Sequence, residues 1–347
     1  MKKEDIMNII QNKKYQWILT IVVLFIVLMM SSSIRVSNWD LLTDSTTGEK
    51  IPIALDPYYF LRVSETIVEN NGTLPEFDEK RIPGFNTKWH PEIMPRVVVW
   101  MWKASNVFGE YTLREVNVFS PVFFYGIGLI VFFFLVFVLT SSKFAGVLAS
   151  TFLAFIPSYL YRTMAGFSDH EAIGMISFFA TILVFSISFK YLDKLSKKDY
   201  FKSGLFGLLV GAMTALTIAT WGGVSVFLFM IIPIAFLLFW IIKVKDKNSV
   251  IKDSGIIYYV CWIIFTVIFA GILKFNMIDV IGRMLNSNGI ITFAVLGFVL
   301  VDRFFIFFEN KISKIKGYNK KYRIAYTGGF LAILGIFLFF LTLLYIF

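Results

Sequence analysis

The chain has 347 residues, of which 57% are hydrophobic, a mean hydropathy of +0.74 and a formal net charge of +10. That apolar fraction exceeds the roughly half found in soluble domains, which argues against a soluble globular protein. The positive balance then reads as basic residues anchoring inner loops rather than as a nucleic-acid surface. The single cysteine, Cys261, rules out a disulfide within the chain.

In chain order, nine runs almost free of charge are predicted as membrane helices: Trp17 to Met30, Val118 to Thr140, Phe144 to Leu160, Ala172 to Phe189, Gly204 to Ala219, Val224 to Ile242, Ile256 to Leu273, Ile290 to Val301 and Ile324 to Phe347. A span needs about 20 apolar residues. The first and eighth runs are short and need flanking residues. Lys2, Lys3, Lys13 and Lys14 precede the first run as in a signal peptide, but no A-x-A cleavage site follows, so it reads as a retained span.

With the N-terminus inside and spans alternating, the inner segments collect Lys190, Lys194, Lys197, Lys198 and Lys202, then Lys243, Lys245, Lys247 and Lys252, then Lys311, Lys314, Lys316, Lys320, Lys321 and Arg323. Past the first loop, the outer segments hold only Arg162, Lys274 and Arg283. This short-loop asymmetry sets the orientation. It divides the chain into a tail and first span (residues 1–30), a large first extracytoplasmic loop (31–115) and helices two to nine (116–347). The loop is rich in aromatic residues, among them Trp39, Tyr58, Tyr59, Phe60, Phe85 and Trp89, a composition that argues against disorder. The ninth span stops at the last residue, as in a truncated chain. The expected fold class is an all-α polytopic membrane protein.

Charge is costly in hydrocarbon, so the chemistry is sought at the outer ends of the spans. In Asp56-Pro57-Tyr58-Tyr59-Phe60, Asp56 reads as a helix N-cap with Pro57 in the first turn. That role is compatible with holding a cation, because a helix N-terminus keeps a carboxylate ionised. In Arg162 to Glu171, Ser168 and Glu171 read as a capping box, yet Asp169, His170 and Glu171 exceed what a cap requires. Alternating carboxylates suit a hard divalent cation. Thr220-Trp221-Gly222-Gly223 is a tight turn with an interfacial tryptophan, where the glycines also let a ligand approach the backbone. His90 lies in the loop and reads as a surface residue on its own; Asn71-Gly72-Thr73 is an N-x-T sequon. Asp302 and Arg303 are the only charges intruding on a span, and a mutual pair is expected.

Together these residues resemble the catalytic subunit of oligosaccharyltransferase, archaeal AglB type. The order is that family's: one span, a long loop opening with an aspartate before a proline and aromatics, two spans, an arginine leading to D-x-E, then Trp-Gly-Gly. The resemblance covers essentially the whole chain as an N-terminal portion. It implies a GT-C type glycosyltransferase bundle, here of about nine helices, in the cell membrane with its active site extracytoplasmic. It implies that Asp56 contacts both a metal and the acceptor amide, that Asp169 and Glu171 bind the metal, and that Arg162 lies near the acceptor. His90, His170 and Trp221 would lie near the glycan pyrophosphate. The implied cofactor is Mn²⁺ or Mg²⁺. The implied partners are a lipid-linked oligosaccharide on dolichol phosphate or pyrophosphate, an acceptor protein or peptide with N-x-S/T, and membrane lipid, with no nucleic acid. A further outer loop with a glutamate and a soluble domain with a W-W-D-Y-G motif are expected to follow Phe347, and the segment alone to be inactive. Two alternatives stay open: another polyprenyl-phosphate-sugar-dependent enzyme, similar to protein O-mannosyltransferases, and a transporter.

Overall fold

A computed structural model describes residues 12–78, 92–192, 199–245, 252–308 and 322–346. His90, Phe85 and Trp89 lie outside these residues, as do Lys194, Lys197, Lys198, Lys247 and the basic run from Lys311 to Lys321.

Regular structure among the described residues is helical: α1 (Lys13–Arg35), α2 (Leu55–Glu69), α3 (Ile93–Ser105), α4 (Leu113–Thr140), α5 (Lys143–Phe155), α6 (Pro157–Arg162), α7 (His170–Leu192), α8 (Tyr200–Thr220), α9 (Ser225–Lys245), α10 (Lys252–Ile272), α11 (Met277–Leu285), α12 (Ile291–Phe307) and α13 (Arg323–Ile346). Each predicted run falls on a helix. Six helices, α1, α4, α7, α8, α9 and α10, are long and apolar enough to cross a membrane, which makes this a multi-pass membrane protein. The third run breaks in two. Ile156 is extended (φ −61°, ψ 122°) because Pro157 follows it, and α6 restarts at the proline.

Two further prolines sit inside spans, and each frees the carbonyl four residues back. Pro121 of α4 frees the carbonyl of Asn117, to which the Ser120 hydroxyl donates at 2.8 Å. Pro233 of α9 frees the carbonyl of Phe229, to which the Thr292 hydroxyl donates at 3.3 Å. In hydrocarbon, where water cannot replace the lost bond, such hydroxyls are what make proline tolerable.

The chain forms two compact units, one from the N-terminal part to Ile187 with Leu216–Ser225, the other from Ser188–Ala215 with Val226 onward. In the first unit, α4 packs along α5 and α1, and α2 and α3 pack on each other and on α4. Val27, Tyr125, Leu129 and Ala154 form one apolar cluster, and Phe60, Met94, Val98, Phe124 and Ala172 another. The beginning of α1 meets the end of α4 and the start of α5: Trp17 lies edge-on to Phe137 at 5.2 Å, and Lys143 donates to Gln16 at 3.0 Å. The end of α1 meets the other end of the unit, where Ala165 donates its N–H to the Arg35 carbonyl at 2.8 Å. Spans α1 and α4 are therefore antiparallel.

The segment joining α1 to α4 is folded around ion pairs. Arg114 bridges Glu49 at 2.6 Å and Glu65 at 2.9 Å, and Arg62 pairs with Asp78 through both guanidinium nitrogens. A capping box, Thr112 with Glu115, opens α4. The sequon asparagine Asn71 is exposed in the turn after α2, at φ 53°.

The second unit is built on buried aromatics with polar anchors. Trp262 donates to Thr214 at 3.1 Å, and Tyr259 donates to the Thr292 carbonyl at 2.9 Å. Asp302 and Arg303 do not pair with each other. Asp302, fully buried, receives Arg323 at 3.0 Å and Trp240 at 2.9 Å, while Arg303 reaches Asp253 at 2.7 Å. Neighbours in a helix point about 100° apart, so adjacent charges seek partners on other helices.

Candidate active site

Helix α2 carries Asp56 two residues further into the helix than a cap. Ala54 is the N-cap, in extended conformation and without a side-chain cap bond, so Asp56 and Pro57 are the second and third helical residues. The Asp56 side chain is exposed and makes no hydrogen bond or ion pair with the described residues. A free carboxylate over the first turn lies near the partial positive charge of the unbonded N–H groups at the helix start.

The second acidic element is the turn between α6 and α7. Ser168 does not cap α7; its hydroxyl donates to Asn117 Oδ1 at 2.6 Å, both groups being buried. Asp169 accepts the N–H of His170, the first residue of α7, at 2.6 Å, and His170 Nδ1 lies 2.6 Å from the same carboxylate oxygen. The His170 ring stands between Phe60 at 5.5 Å and Trp221 at 5.8 Å. Trp221 follows α8 directly. The turn closes as Ser225 donates to the Gly222 carbonyl at 2.6 Å, and Ser177 of α7 meets Thr220 at 2.7 Å. A Cβ at Gly174 would stand 2.5 Å from Trp221 Cβ, so only glycine on α7 lets the indole lie this close.

Arg162 does not turn to Asp56. Its guanidinium lies 3.2 Å from Glu171 Oε2 and 4.8 Å from the Phe167 ring centre, leaving that oxygen with no hydrogen bond. Asp56, Asp169, His170 and Arg162 all act electrostatically on the Glu171 carboxylate. The structure thus brings together Asp56, Arg162, Asp169, His170, Glu171 and Trp221; His90 lies outside the described residues.

The two acidic elements are also joined through the backbone. Gly166, at φ +86°, accepts the Ile53 N–H at 3.1 Å and gives its own N–H to the Val118 carbonyl at 2.8 Å. The left-handed conformation is one that side-chain-bearing residues rarely adopt. In the sequence the segment from Arg162 to Glu171 stands out for its acidic pair and not for the Gly166 conformation, and Arg35, which donates to Thr163 at 2.8 Å, is marked only as a lone arginine just past an apolar run.

The donor chemistry here is that of hard oxygens, suited to Mg²⁺ or Mn²⁺ rather than to a thiolate-seeking ion. The grouping is another matter: among the described residues no three His, Cys, Asp or Glu side chains are arranged as a ligand set. Asp169 is engaged by His170 and Glu171 by Arg162, so a cation would compete with the guanidinium for Glu171 Oε2.

The described helices and their order place the chain in the class of polytopic α-helical membrane bundles. The fold matches solved structures of the *Archaeoglobus fulgidus* oligosaccharyltransferase. One, AglB in complex with an inhibitory peptide and a dolichol-phosphate, superposes with a TM-score of 0.70 at 18% identity, over 93% of this chain and 38% of that one. A complex with Zn and sulfate gives 0.67 at 18%, over 92% and 40%. A form tethered to an acceptor peptide containing the NVT sequon gives 0.68 at 18%, over 95% and 38%. Among curated proteins, the dolichyl-phosphooligosaccharide-protein glycotransferase of *Methanococcus voltae* is 26% identical over 264 residues, 70% of this chain and 28% of that protein. The protein of the same name from *Methanocaldococcus jannaschii* is 24% identical over 216 residues, 54% of this chain and 23% of that protein. Residues 18–346 match the model of the oligosaccharyl transferase STT3 family, N-terminal, and the chain belongs to that family. It spans about a quarter of the length of these curated relatives.

Proposed function

We propose that this chain is the membrane portion of an oligosaccharyltransferase that moves a dolichol-linked oligosaccharide onto the asparagine of N-x-S/T sequons, with inversion at the anomeric carbon, on the extracytoplasmic face. The observation that carries the reading is the Arg162–Glu171 ion pair beside the Asp169–His170 contact, with Asp56 acting electrostatically on Glu171 from the start of α2. The complexes of the similar archaeal enzyme, with dolichol-phosphate and with an NVT peptide, support the choice of substrates.

The chemistry asks for these groups. An amide nitrogen is a poor nucleophile because its lone pair is shared with the carbonyl. A carboxylate accepting one of its N–H groups weakens that sharing, and in this reading Asp56 takes that role. The nitrogen–carbon bond then forms as the bond from the anomeric carbon to the lipid pyrophosphate breaks. The pyrophosphate leaves with the bonding pair, and the amide gives up a proton to a carboxylate. A guanidinium suits both carboxylate and phosphate, so Arg162, exposed on one side and paired with Glu171 on the other, can follow charge from one to the other. His170 and Trp221, with His90, would contact the pyrophosphate. A bound Mn²⁺ or Mg²⁺, held by Asp56, Asp169 and Glu171, would supply a Lewis acid for the leaving group.

The test is direct. Full-length protein is incubated with dolichol-linked oligosaccharide and an N-V-T peptide, and the glycopeptide is read by its mass. Solute flux in liposomes without glycopeptide would favour a transporter instead.

A further inference from the structure

We propose that Arg35 is a positioning residue: its guanidinium fastens the turn from Thr163 to Gly166, and that turn, through the Gly166–Ile53 bond, sets the spacing between Asp56 and the Asp169–Glu171 pair. The inference rests on the proposed function for its consequence, though not for its geometry.

Arg35 ends α1 and is fully buried, with no carboxylate among its contacts within the described residues. A buried charge without a counter-ion is costly. What the guanidinium has instead is neutral: the Tyr125 ring 3.5 Å beneath it, the Ser31 carbonyl at 3.1 Å and the Thr163 hydroxyl at 2.8 Å. Thr163 passes its own proton to the Tyr159 carbonyl at 2.6 Å, so its oxygen is oriented to accept from Arg35. Two residues on, the Arg35 carbonyl receives the Ala165 N–H at 2.8 Å, and Asn38 donates to the Ala165 carbonyl at 3.0 Å. Arg35 and Asn38 therefore grip the turn at three points. The next residue is Gly166, whose carbonyl holds Ile53, three residues before Asp56. Three residues after Gly166 comes Asp169. The two acidic elements meet at Gly166, and Arg35 holds the turn that leads into it.

A positioning role and a purely structural one separate in kinetics. Thr163→Val removes the acceptor at nearly constant volume, Thr163→Ser keeps it, and Arg35→Gln removes the donor charge. In full-length protein, Thr163→Val and Arg35→Gln are expected to lower kcat per folded molecule by roughly tenfold or more, with the acceptor-peptide KM unchanged and Thr163→Ser like wild type. The double variant should be no worse than the worse single one, because both act through one bond. Wild-type kcat in folded Thr163→Val would overturn the proposal. Amide exchange decides independently of activity. Faster exchange at Ile53 and Gly166 in Thr163→Val than in Thr163→Ser supports the clasp, and equal rates overturn it. If the wild-type protein transfers no glycan, the functional reading falls and the exchange rates alone judge the clasp.

Discussion

The Arg162 guanidinium lies 3.2 Å from Glu171 Oε2, and it is this pair, not one with Asp56, that neutralises charge in the candidate site. Asp56 makes no ion pair among the described residues. The pairing also means that a cation and Arg162 compete for one oxygen.

Removing Arg162 should therefore act in two directions. Arg162→Gln is expected to lower kcat/KM for the acceptor peptide by on the order of a hundredfold, the loss usual for one preorganised cationic or donor group. It should also tighten binding of Mn²⁺ to the resting protein, read by the electron paramagnetic signal of free Mn²⁺. Weaker Mn²⁺ binding in this variant would show that Arg162 supports the cation rather than competing with it.

Gly166 carries a stability prediction. At φ +86° its Cβ would stand 2.9 Å from Leu42 Cδ1 and 3.1 Å from Ile53 Cγ2. Gly166→Ala is expected to cost about 1–2 kcal/mol from backbone conformation alone, with the crowding added. A thermal melt in detergent that matches wild type would show that the turn can take another shape.

The second unit offers a test free of the active site. Asp302 is buried and holds Arg323 at 3.0 Å. Asp302→Ala strands that arginine, and breaking a buried pair from one side costs about 3–5 kcal/mol. Asp302→Leu together with Arg323→Met removes both charges and should melt above Asp302→Ala. A double variant less stable than the single one would contradict the assignment of the pair.

The spans were legible because hydrocarbon imposes a pattern a single sequence displays: long runs without charge, each of which falls on a helix. What the runs could not show is where chain chemistry intervenes, as at Ile156, where Pro157 divides the third run. Capping was read by composition and missed by register. Asp56 sits within the first turn after Ala54, and Ser168 spends its hydroxyl on Asn117, 51 residues earlier. Asp302 and Arg303 failed as a pair for the same reason, since helix geometry sends adjacent side chains to different neighbours. The acidic residues of the candidate site stood out as polar groups at span ends. The Arg35 grip on Thr163 did not, because a hydrogen bond across 128 residues leaves no local pattern.

The central claim is that Asp56, Asp169 and Glu171 act together in glycan transfer. It is tested most directly by measuring transfer from dolichol-linked oligosaccharide to an N-V-T peptide with full-length Asp56→Asn, Asp169→Asn and Glu171→Gln proteins, each confirmed folded by its melting temperature. Each should lose on the order of a hundredfold or more in kcat, and combining two should cost little beyond the first, as for groups that act as a unit. Near-wild-type transfer by any one of the three would contradict the account.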